Sequence, residues 1–598
     1  MPGPVYLGRI QVNWCDQCNL PMLEEATCSC GSRTRRVGLT PPGDAYPAVG
    51  ESLRVLRETL DGAYGTGAGL ELLPEDKVIL LNNIPSVDRA IEVIVDGLVV
   101  GRSFYEPGDH RWAFKPTMEG GKRLSSLTKR KKITVDDGAA AAILRGGSLL
   151  APGIIQADKS IRPGDEVLIN RKDGKVFAVG SARMAGEEMV GGRGMSVKIR
   201  EFEETYSSPR ENPGGQTWDE ATSANEVPLA RREEEAVSFI REVSERRKMP
   251  KCVAFSGGKD SLAVLLLVSK AITDFDVIFV DTGIEFPETV EYTERVIDDL
   301  GFSDRLIIRR VGEGFWRAME LFGPPARDAR WCCKVCKLGP TTSIIQENYS
   351  GECLTFVGQR RYESQQRQSR GRVGRNPWVP GQVSASPIRN WTALHVWLYA
   401  FREGAEMNPL YFRAYARIGC FVCPASEVAE LDHLAETHPE MHKRLMDEID
   451  RHGSAAGMPE SWWANGLWRW RLSPPWAGEA DVAYEDPFEY ISMVPLEEKV
   501  DDTGAVLSGK LDVPFEVERV SNALAPLGEA RMDGGSIRLE SMGVPINIDK
   551  DGKVEIGPTE NGKLLRELGR RLTSCIVKAS HCVGCGTCVG SCHRGAID

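Results

Sequence analysis

A glycine-rich turn near the middle of this chain has the composition of a phosphate-binding loop. Its members are Ser256, Gly257, Gly258, Lys259, Asp260 and Ser261. An apolar run precedes the turn and the apolar stretch Leu262 to Val268 follows it, which predicts a strand before it and a helix after it. Glycines let backbone N–H groups approach an anion, the helix N-terminus adds partial positive charge, and a lysine adds a full one. The turn is therefore predicted to bind a nucleotide, with Lys259 and Asp260 as candidate catalytic residues. A glycine turn with a chance lysine is the alternative.

A second polar string follows the next predicted strand. The apolar run 276–280 suits a buried parallel strand, and Asp281, Thr282 and Gly283 come directly after it. Polar residues at the carboxyl ends of such strands line the ligand crevice of open α/β sheets. These three residues are predicted to complete the nucleotide site.

The sixteen cysteines of the sequence predict metal or redox chemistry, because no export signal accompanies them. The first group has two close pairs, Cys15 with Cys18 and Cys28 with Cys30, and resembles a zinc ribbon. Four thiolates satisfy a tetrahedral Zn²⁺ and leave no position open for a substrate, so a structural or docking role is predicted. Reduced thiols scattered in a loop are the alternative.

A last group of cysteines has the spacing of ferredoxin clusters. Two, two and three residues separate its members, which are Cys582, Cys585, Cys588 and Cys592. This spacing predicts a [4Fe–4S] cluster, in which either Cys592 or Cys575 is the fourth ligand, unless the chain is truncated. His593 stands where a proline usually follows, and makes a zinc knuckle the alternative.

Motifs around the phosphate loop resemble those of one enzyme family. The loop resembles the SGGxDS loop of ATP-pyrophosphatases, also called adenine nucleotide α-hydrolases, and the string 281–289 resembles the DTGxxFPET motif of the PAPS reductase family. Further matches follow in order, at Arg330 to Cys333, Gly358 to Ser364, Ser386 to Trp391, Asn408 to Tyr411 and Arg417 to Pro424. The resemblance implies a doubly wound parallel sheet, ATP with Mg²⁺ at the carboxyl ends of its strands, and a catalytic role for Arg360.

Two departures from the reductases of this family bear on the reaction. Sulfonucleotide reductases have a degenerate phosphate loop, because they receive a finished nucleotide and never expel pyrophosphate, and they use a C-terminal Glu-Cys-Gly-x-His nucleophile. This sequence has an intact loop, and neither Cys575 nor Cys582 stands in a Glu-Cys-Gly context. Cleavage of ATP to AMP and pyrophosphate is therefore predicted over reduction of a sulfonucleotide.

A middle group of cysteines falls within the same motifs. It combines the adjacent pair Cys332 and Cys333 with the distant pair Cys420 and Cys423. The arrangement resembles the [4Fe–4S] site of adenylyl-sulfate reductases, although four thiolates also bind zinc. Cys336 lies close to the first pair, and either replaces one ligand or acts as a reactive, catalytic thiol.

A stretch upstream of the loop resembles a PUA domain. It runs from Ile133 to Gly180, with glycines at both ends of a short helix and Pro-Gly turns between alternating strands. PUA domains as a family bind structured RNA, and the neighbouring basic run from Lys122 to Lys132 favours that partner. Barrel turns of a protein-binding module are the alternative.

These features require a multidomain α/β chain, since 598 residues exceed one hydrophobic core. The predicted domains are a zinc ribbon (1–45), an α+β region of unknown role (46–130), a small β-barrel PUA domain (131–200), a linker and helix (201–245), a doubly wound nucleotide domain (246–475), a small α+β region (476–570) and a ferredoxin-like segment (571–598). A net charge of −11 excludes a generally basic nucleic-acid coat, so RNA binding needs a local patch. No apolar run is long enough to span a membrane and no signal peptide is evident, which predicts a cytoplasmic protein without a membrane partner.

Together these motifs predict an ATP-dependent iron–sulfur enzyme that transfers sulfur to RNA, with tRNA as the expected substrate. The predicted cofactors are ATP with Mg²⁺, one or two [4Fe–4S] clusters and Zn²⁺. RNA bound through the PUA domain and an electron donor such as a ferredoxin are the predicted partners, and the sulfur donor is not identified. One alternative is an assimilatory reductase of adenylyl sulfate or phosphoadenylyl sulfate, and another is a non-catalytic RNA-binding redox sensor.

Overall fold

The structure is a computed structural model that describes residues 7–8, 10–470, 497–501, 504–510 and 517–581. The chain divides into two compact units, each built from several stretches. The first unit contains Met1–Arg310, Thr341–Glu448 and Ala464–Gly466, and the second contains Val311–Pro340, Ile449–Trp463 and Leu467–Asp598. The ferredoxin-like cysteines Cys582, Cys585, Cys588 and Cys592 lie outside the described residues.

The first unit begins with a small antiparallel sheet made of β1 (Asn13–Cys15), β2 (Leu20–Met22) and β3 (Arg35–Arg36), in which β1 is central. Cys15, Cys18, Cys28 and Met22 pack together at its edge. Trp14 and Leu20 are buried in the large hydrophobic core of the first unit, which also contains Val253 of the parallel sheet described below. The small sheet therefore packs into that core.

A second antiparallel sheet follows in the same unit. Its strands are β4 (Tyr46–Pro47), β5 (Leu80–Asn83), β6 (Ala90–Val95), β7 (Leu98–Glu106) and β8 (Arg111–Pro116), paired in chain order. The helices of this region are α1 (Glu51–Tyr64), α2 (Ala68–Leu72) and α3 (Met118–Leu127). Apolar side chains from the helices and the sheet share one core, which includes Leu60, Leu72, Val93 and Leu124. The predicted α+β region is therefore a layer of helices on a sheet.

The PUA-like stretch forms a mixed six-stranded sheet. Its elements are β9 (Lys132–Val135), α4 (Asp137–Leu144), β10 (Leu149–Leu150), β11 (Ile154–Ala157), β12 (Glu166–Asn170), β13 (Val176–Ala182), α5 (Gly186–Met189) and β14 (Met195–Phe202). The strand order is β10-β14-β13-β12-β9-β11, and β9 and β12 are the parallel pair. Asp136 caps α4, because its side chain accepts a hydrogen bond from Ala139 N at 2.7 Å.

The stretch predicted as a linker lies within the first unit and makes contacts there. Residues 203–216 contain no helix or strand, yet Lys122 donates a hydrogen bond to Glu203 at 3.2 Å and Arg210 pairs with Asp16 at 2.5 Å. Helices α6 (Trp218–Ala224) and α7 (Glu226–Arg246) follow, and a capping box of Thr217 and Glu220 fixes the start of α6. This stretch is therefore part of the folded structure and not a free linker.

The nucleotide domain is built on one six-stranded sheet. Its strands are β15 (Lys251–Ala254), β16 (Asp276–Asp281), β17 (Leu306–Arg310), β18 (Cys353–Val357), β19 (Val373–Arg375) and β20 (Gln382–Ala385). The order is β17-β16-β15-β18-β20-β19, and every pair is parallel except the edge pair β19–β20. Chain order reverses between β15 and β18, so their carboxyl ends flank the crevice where such sheets bind ligands. The prediction of a doubly wound parallel sheet is confirmed.

Helices follow these strands in the chain. They are α8 (Lys259–Ala271), α9 (Pro287–Asp299), α10 (Gly314–Phe322), α11 (Trp331–Cys333), α12 (Gly339–Tyr349), α13 (Gln365–Gln368), α14 (Ala393–Arg402), α15 (Val428–Thr437), α16 (Pro439–Ala455) and α17 (Glu460–Ala464). Residues Ser261 to Val268 of α8 are all buried, so this helix lies in the core of the domain. Among the described residues, no helix combines the length and apolarity needed to cross a lipid bilayer.

The second unit ends in an antiparallel sheet with two helices. The elements are β21 (Glu497–Asp501), β22 (Gly504–Lys510), α18 (Val517–Ala523), β23 (Arg531–Asp533), β24 (Ser536–Ser541), β25 (Val544–Ile548), β26 (Lys553–Thr559) and α19 (Gly562–His581). The strand order is β21-β22-β26-β25-β24-β23. Cys575 lies on α19 and is buried in the core with Leu568, Leu572 and Ile546.

Candidate functional site

The phosphate loop lies between β15 and α8, at the carboxyl edge of the parallel sheet. Gly257 has φ +70°, and a Cβ there would lie 2.6 Å from Thr289 Cγ2, so both conformation and space require glycine. Asn408 Nδ2 donates a hydrogen bond to the Gly257 carbonyl at 3.1 Å, and Lys259 N donates to the Tyr411 hydroxyl at 2.9 Å. A distant segment of the chain therefore holds the loop in shape.

Ser256 and Ser261 close the loop from within. Ser261 Oγ accepts a hydrogen bond from Ser256 N at 3.2 Å and donates one to the Gly258 carbonyl at 2.8 Å. The two hydroxyl oxygens are 3.2 Å apart, and Ser261 is buried. Ser261 therefore fixes the conformation of the turn.

Gly358 follows β18 and lets the end of that strand approach the phosphate loop closely. A Cβ on Gly358 would lie 2.6 Å from the carbonyl carbon of Asp260 and 2.7 Å from Ser261 N. Both are backbone atoms that cannot move aside, so this position requires glycine. The close approach places the string 358–364 beside the loop.

Four charged side chains form a chain of ion pairs at this edge. Asp260 lies 2.6 Å from both Lys259 Nζ and Arg360 Nε, and Arg360 Nη1 lies 2.7 Å from Asp44 Oδ2. Arg360 is only 4% exposed. Burial raises the pKa of Asp260, but the charges of Arg360 and Lys259 outweigh burial and lower that pKa to about 2. Two cations thus face two carboxylates, and the group has no net charge.

Asp44 is the member of this group that sequence reasoning missed. Its Oδ1 accepts a hydrogen bond from Ala393 N at 2.6 Å, while its Oδ2 pairs with Arg360. Asp44 lies in a Pro-Pro-Gly-Asp turn, which predicts a connector and carries no signal of a distant partner. Asn408 and Tyr411, by contrast, belong to a string that the family resemblance includes.

The predicted nucleotide residues after β16 form a tight turn. Gly283 N donates a hydrogen bond to Asp281 Oδ1 at 2.9 Å, and Gly283 has φ +75°. Thr282 is fully buried, and its hydroxyl donates to Glu285 Oε1 at 3.0 Å. Thr282 and Gly283 therefore shape the turn, whereas Asp281 is partly exposed and accessible to a ligand.

The Cys420 and Cys423 pair lies beside that turn. Cys420 Sγ is 3.4 Å from Glu285 Oε1 and 3.6 Å from Thr282 Oγ1. Cys423 N donates a hydrogen bond to the Cys420 carbonyl at 3.2 Å, which closes the short turn between them. This pair therefore adjoins the end of β16.

The other predicted ligands of that cluster belong to the second unit. Cys332 and Cys333 lie on α11, and Cys336 lies in the π-helical turn Lys334–Leu338 that follows. Cys332 and Cys336 are buried, and Cys333 is half-buried. The iron–sulfur site expected at Cys332, Cys333, Cys420 and Cys423 stays a prediction.

The four ribbon cysteines converge as the sequence predicts. Their Sγ atoms all lie within 4.8 Å of one another, with 3.7 Å between Cys15 and Cys30 and 3.9 Å between Cys18 and Cys28. Thiolates that bind one tetrahedral metal at about 2.3 Å are about 3.8 Å apart, which fits these distances. Hydrogen bonds from Ser32 lower the pKa of Cys30 to about 6. The group can therefore bind a metal ion, and its identity as zinc stays a prediction.

Half of the basic run beside the PUA domain is neutralised within the protein. Lys122 and Arg123 are buried, and carboxylates surround them: Glu119, Glu203 and Asp96. Lys131 also pairs with Asp165, whereas Lys129 and Arg130 are exposed. The basic patch at this position is therefore smaller than the sequence predicts.

Family profiles match two regions of the chain. The phosphoadenosine phosphosulfate reductase domain matches residues 250–426, and the PUA domain matches residues 131–202. An uncharacterized protein of Methanocaldococcus jannaschii is 37% identical over 476 residues, which cover 78% of this chain and 97% of that protein. The adenosine 5′-phosphosulfate reductase of Streptomyces coelicolor is 33% identical over 178 residues, which cover 29% of this chain and 70% of that enzyme.

Solved structures are similar over shorter parts. The phosphoadenylyl-sulfate reductase of Candida auris covers 32% of this chain and 93% of its own length, at 19% identity and a TM-score of 0.25. A PUA domain protein of Thermoplasma acidophilum covers 27% of this chain and 95% of its own length, at 24% identity and a TM-score of 0.21. From the profile matches and the sequence relatives, the chain belongs to the phosphoadenosine phosphosulfate reductase family and also contains a PUA domain.

Proposed function

We propose that this protein is an ATP-dependent enzyme that forms AMP and pyrophosphate while it transfers sulfur to RNA, with tRNA as the substrate. The intact phosphate loop carries the proposal, because Lys259 and Arg360 both reach Asp260 at the N-terminus of α8, where nucleotide phosphates would bind. The PUA domain in the same chain supports RNA as the second substrate.

Adenylation of a base is the first step of this reaction. A carbonyl oxygen of the RNA base attacks the α-phosphorus of ATP, the new O–P bond forms, the bond to the β-phosphate oxygen breaks, and pyrophosphate leaves. Lys259 and Arg360 stabilise the negative charge that develops on the departing group. Mg²⁺ prefers oxygen ligands, and Asp260 and Asp281 are the carboxylates at this edge that would hold it.

Sulfur transfer is the second step. Sulfide attacks the activated base carbon, a C–S bond forms, the C–O bond breaks, and AMP leaves with the oxygen. Sulfide needs no reductant here, whereas a persulfide donor would need two electrons from a donor such as a ferredoxin. Iron–sulfur clusters, when bound by Cys332, Cys333, Cys420 and Cys423 and by the ferredoxin-like cysteines, would supply sulfide and electrons to this chemistry.

ATP–pyrophosphate exchange tests the proposal. Protein is purified without oxygen, its iron and zinc are measured, and exchange is assayed with and without cellular RNA. We expect exchange that depends on RNA and that Lys259→Ala abolishes. Lys270→Ala is the matched control, because Lys270 lies in the last turn of the same helix and pairs with Glu233 at 2.5 Å. No exchange with any cellular RNA, together with unaltered tRNA nucleosides in a deletion strain, would refute it.

Reduction of adenylyl sulfate is a second candidate. The 33% identity to an adenosine 5′-phosphosulfate reductase favours it. In that reaction two electrons would release sulfite and AMP from adenylyl sulfate, and ATP would not be cleaved. Sulfite formation from adenylyl sulfate, without AMP formation from ATP, would support reduction over sulfur transfer.

A further inference from the structure

Four arginines next to Arg360 form a second cationic group on the first unit. This arginine cluster consists of Arg361, Arg370, Arg372 and Arg389. Arg361 N donates a hydrogen bond to the Arg389 carbonyl at 2.9 Å, and Arg389 Nη2 donates to the Arg370 carbonyl at 2.6 Å. Ser386 N donates to the Arg372 carbonyl at 2.8 Å. These bonds join the segment 361–372 to the segment 386–389, so the four residues lie on neighbouring stretches of backbone.

Two of these arginines interact electrostatically with other members of the cluster. Burial lowers the pKa of Arg389, and the charge of Arg361 lowers it further. Burial also lowers the pKa of Arg372; Glu235 and Glu242 oppose this effect, and the charges of Arg389 and Arg232 add to it. Arg389 is therefore close enough to Arg361 and to Arg372 for their charges to interact.

No carboxylate in the described part of the chain lies within ion-pair distance of the cluster. The acids that face Arg372 from α7 are Glu235 and Glu242, and each is already paired, with Arg232 at 3.0 Å and with Arg246 at 2.7 Å. Within the described residues, none of the four guanidinium groups has a carboxylate oxygen within 4.0 Å. The cluster therefore keeps its positive charge, although the chain as a whole carries −11.

Arg372 and Arg389 use their guanidinium groups to hold the segment between β18 and α14. Arg361 and Arg370 keep guanidinium N–H donors available. Arg389 donates to the Gln368 and Arg370 carbonyls, and Arg372 donates to Pro387 and stacks over the Phe239 ring at 3.7 Å. Arg361 makes no side-chain hydrogen bond to a described residue, and its Nε is buried without a partner. Arg370 is exposed. Arg361 and Arg370 can therefore donate to an anion that the other two charges also attract.

We propose that the arginine cluster binds the phosphodiester backbone of the RNA substrate and guides it toward the nucleotide site, an inference that rests on the RNA part of the proposed function. A polynucleotide repeats its phosphates along the strand, so it can place an acceptor near each of several guanidinium groups. Arg361 directly follows Arg360, which contacts Asp260 of the phosphate loop. A phosphate bound by Arg361 therefore lies close to the site of adenylation.

The salt dependence of RNA binding tests this proposal. The full-length protein is titrated into fluorescently labelled unfractionated tRNA at several salt concentrations, because the slope of log affinity against log salt counts phosphate contacts. Removal of two contacts in Arg361→Gln/Arg370→Gln should make the slope shallower by about 1.4 to 1.8 and weaken binding on the order of tenfold at low salt.

A matched variant controls for net charge. Arg54→Gln/Arg295→Gln also removes two arginines, but these pair with Glu58 and Glu406, which do not face the cluster. Arg370→Gln alone changes one exposed side chain, so a shallower slope in that variant excludes misfolding as the cause. A change in slope no larger than that of the control would overturn the proposal. Weaker binding of adenylyl sulfate with an unchanged RNA slope would also overturn it, and would assign the cluster to a small anion.

RNA binding and turnover are separate measurements, so the two proposals can fail independently. A shallower slope in the cluster variant with no ATP–pyrophosphate exchange in the wild-type protein would refute the reaction and retain the RNA surface. RNA-dependent exchange with an unchanged slope in the cluster variant would refute the surface and retain the reaction.

Discussion

Replacement of Asp260 by asparagine tests the charge arrangement of the site most directly. Asp260 lies 2.6 Å from Lys259 Nζ and 2.6 Å from Arg360 Nε, so Asp260→Asn removes the negative charge between two cations. Arg360 keeps its second carboxylate, Asp44, at 2.7 Å. Lys259 has no second carboxylate within 4.0 Å among the described residues.

The expected loss of stability follows from the pKa and from the burial of the pair. The fall of the Asp260 pKa from 3.8 to about 2 corresponds to roughly 2.4 kcal/mol. Removal of one partner of a buried ion pair costs about 3–5 kcal/mol, and the retained Asp44 reduces that cost. We therefore expect Asp260→Asn to lower the free energy of unfolding by about 2–4 kcal/mol. In the wild-type protein this contribution is fully present above about pH 4 and is lost as the pH falls through about 2.

Pyrophosphate provides the discriminating assay, because it is an anion that binds without a nucleoside. In Asp260→Asn, Lys259 and Arg360 lack the carboxylate that lies between them. A bound anion should therefore reduce the repulsion between these two cations more than it does in the wild-type protein. Thermal unfolding in EDTA should show a larger pyrophosphate-induced rise in Tm for the variant, although the variant alone melts at a lower temperature. Asp276→Asn is the control, since Asp276 begins β16 at the opposite edge and accepts a hydrogen bond from the Tyr349 hydroxyl at 2.8 Å. A rise in Tm for Asp260→Asn that is equal to or smaller than that of the wild-type protein would refute the reasoning.

Three further changes test other parts of the structure. Asp44→Ala leaves Ala393 N without its acceptor and Arg360 without the Asp44 carboxylate, so urea unfolding should show a loss of about 1–3 kcal/mol. Asp44→Asn keeps one oxygen that can accept from Ala393 N but loses the acceptor for Arg360, so it should recover part of that loss, and equal losses in the two variants would contradict this role. Burial and nearby arginines lower the pKa of His395 from 6.5 to about 3, so the folded state excludes a proton that the unfolded state binds. The stability that neutral His395 provides is fully present above about pH 6.5 and is lost as the pH falls toward 3. His395→Gln should therefore remove roughly 5 kcal/mol of pH dependence from the free energy of unfolding measured in urea over that range. A chelator under reducing conditions should remove metal from the ribbon cysteines and lower the Tm, and Cys28→Ser should lower it as well. An unchanged Tm after complete loss of zinc would exclude a structural metal.

The nucleotide domain could be predicted because its signals are local. An apolar run, a glycine turn and a second apolar run determine β15, the phosphate loop and α8, and the same pattern recurs at β16 and Asp281. The ribbon was predictable for the same reason, since two short pairs of cysteines suffice to bring four thiols together. In both cases neighbouring residues in the sequence determine the geometry.

Contacts across long stretches of sequence could not be predicted in this way. Arg360 reaches Asp44 across 316 positions, and neither residue type nor spacing in the Pro-Pro-Gly-Asp turn indicates that partner. The basic run shows a related limit. The sequence predicts that the run from Lys122 to Lys132 favours RNA, but Lys122 and Arg123 lie on the face of α3 that packs into the fold, where Glu119 and Asp96 neutralise them. Burial of a charge depends on which elements pack together, and a sequence pattern does not contain that information.

The phosphate loop is therefore assembled from more of the chain than its family domain covers. Residues 250–426 contain the loop, Arg360 and Tyr411, but Asp44 lies outside them. The N-terminal region also contacts the segment that holds the loop, because Gly50 has φ +53° and a Cβ there would lie 2.2 Å from the Phe412 carbonyl oxygen. Asp44 supports Arg360 from one side, while the segment that contains Phe412 places Tyr411 against Lys259 N from the other. Displacement of the N-terminal region would thus disturb both supports of the phosphate loop, so a region outside the family domain contributes to the shape of that loop.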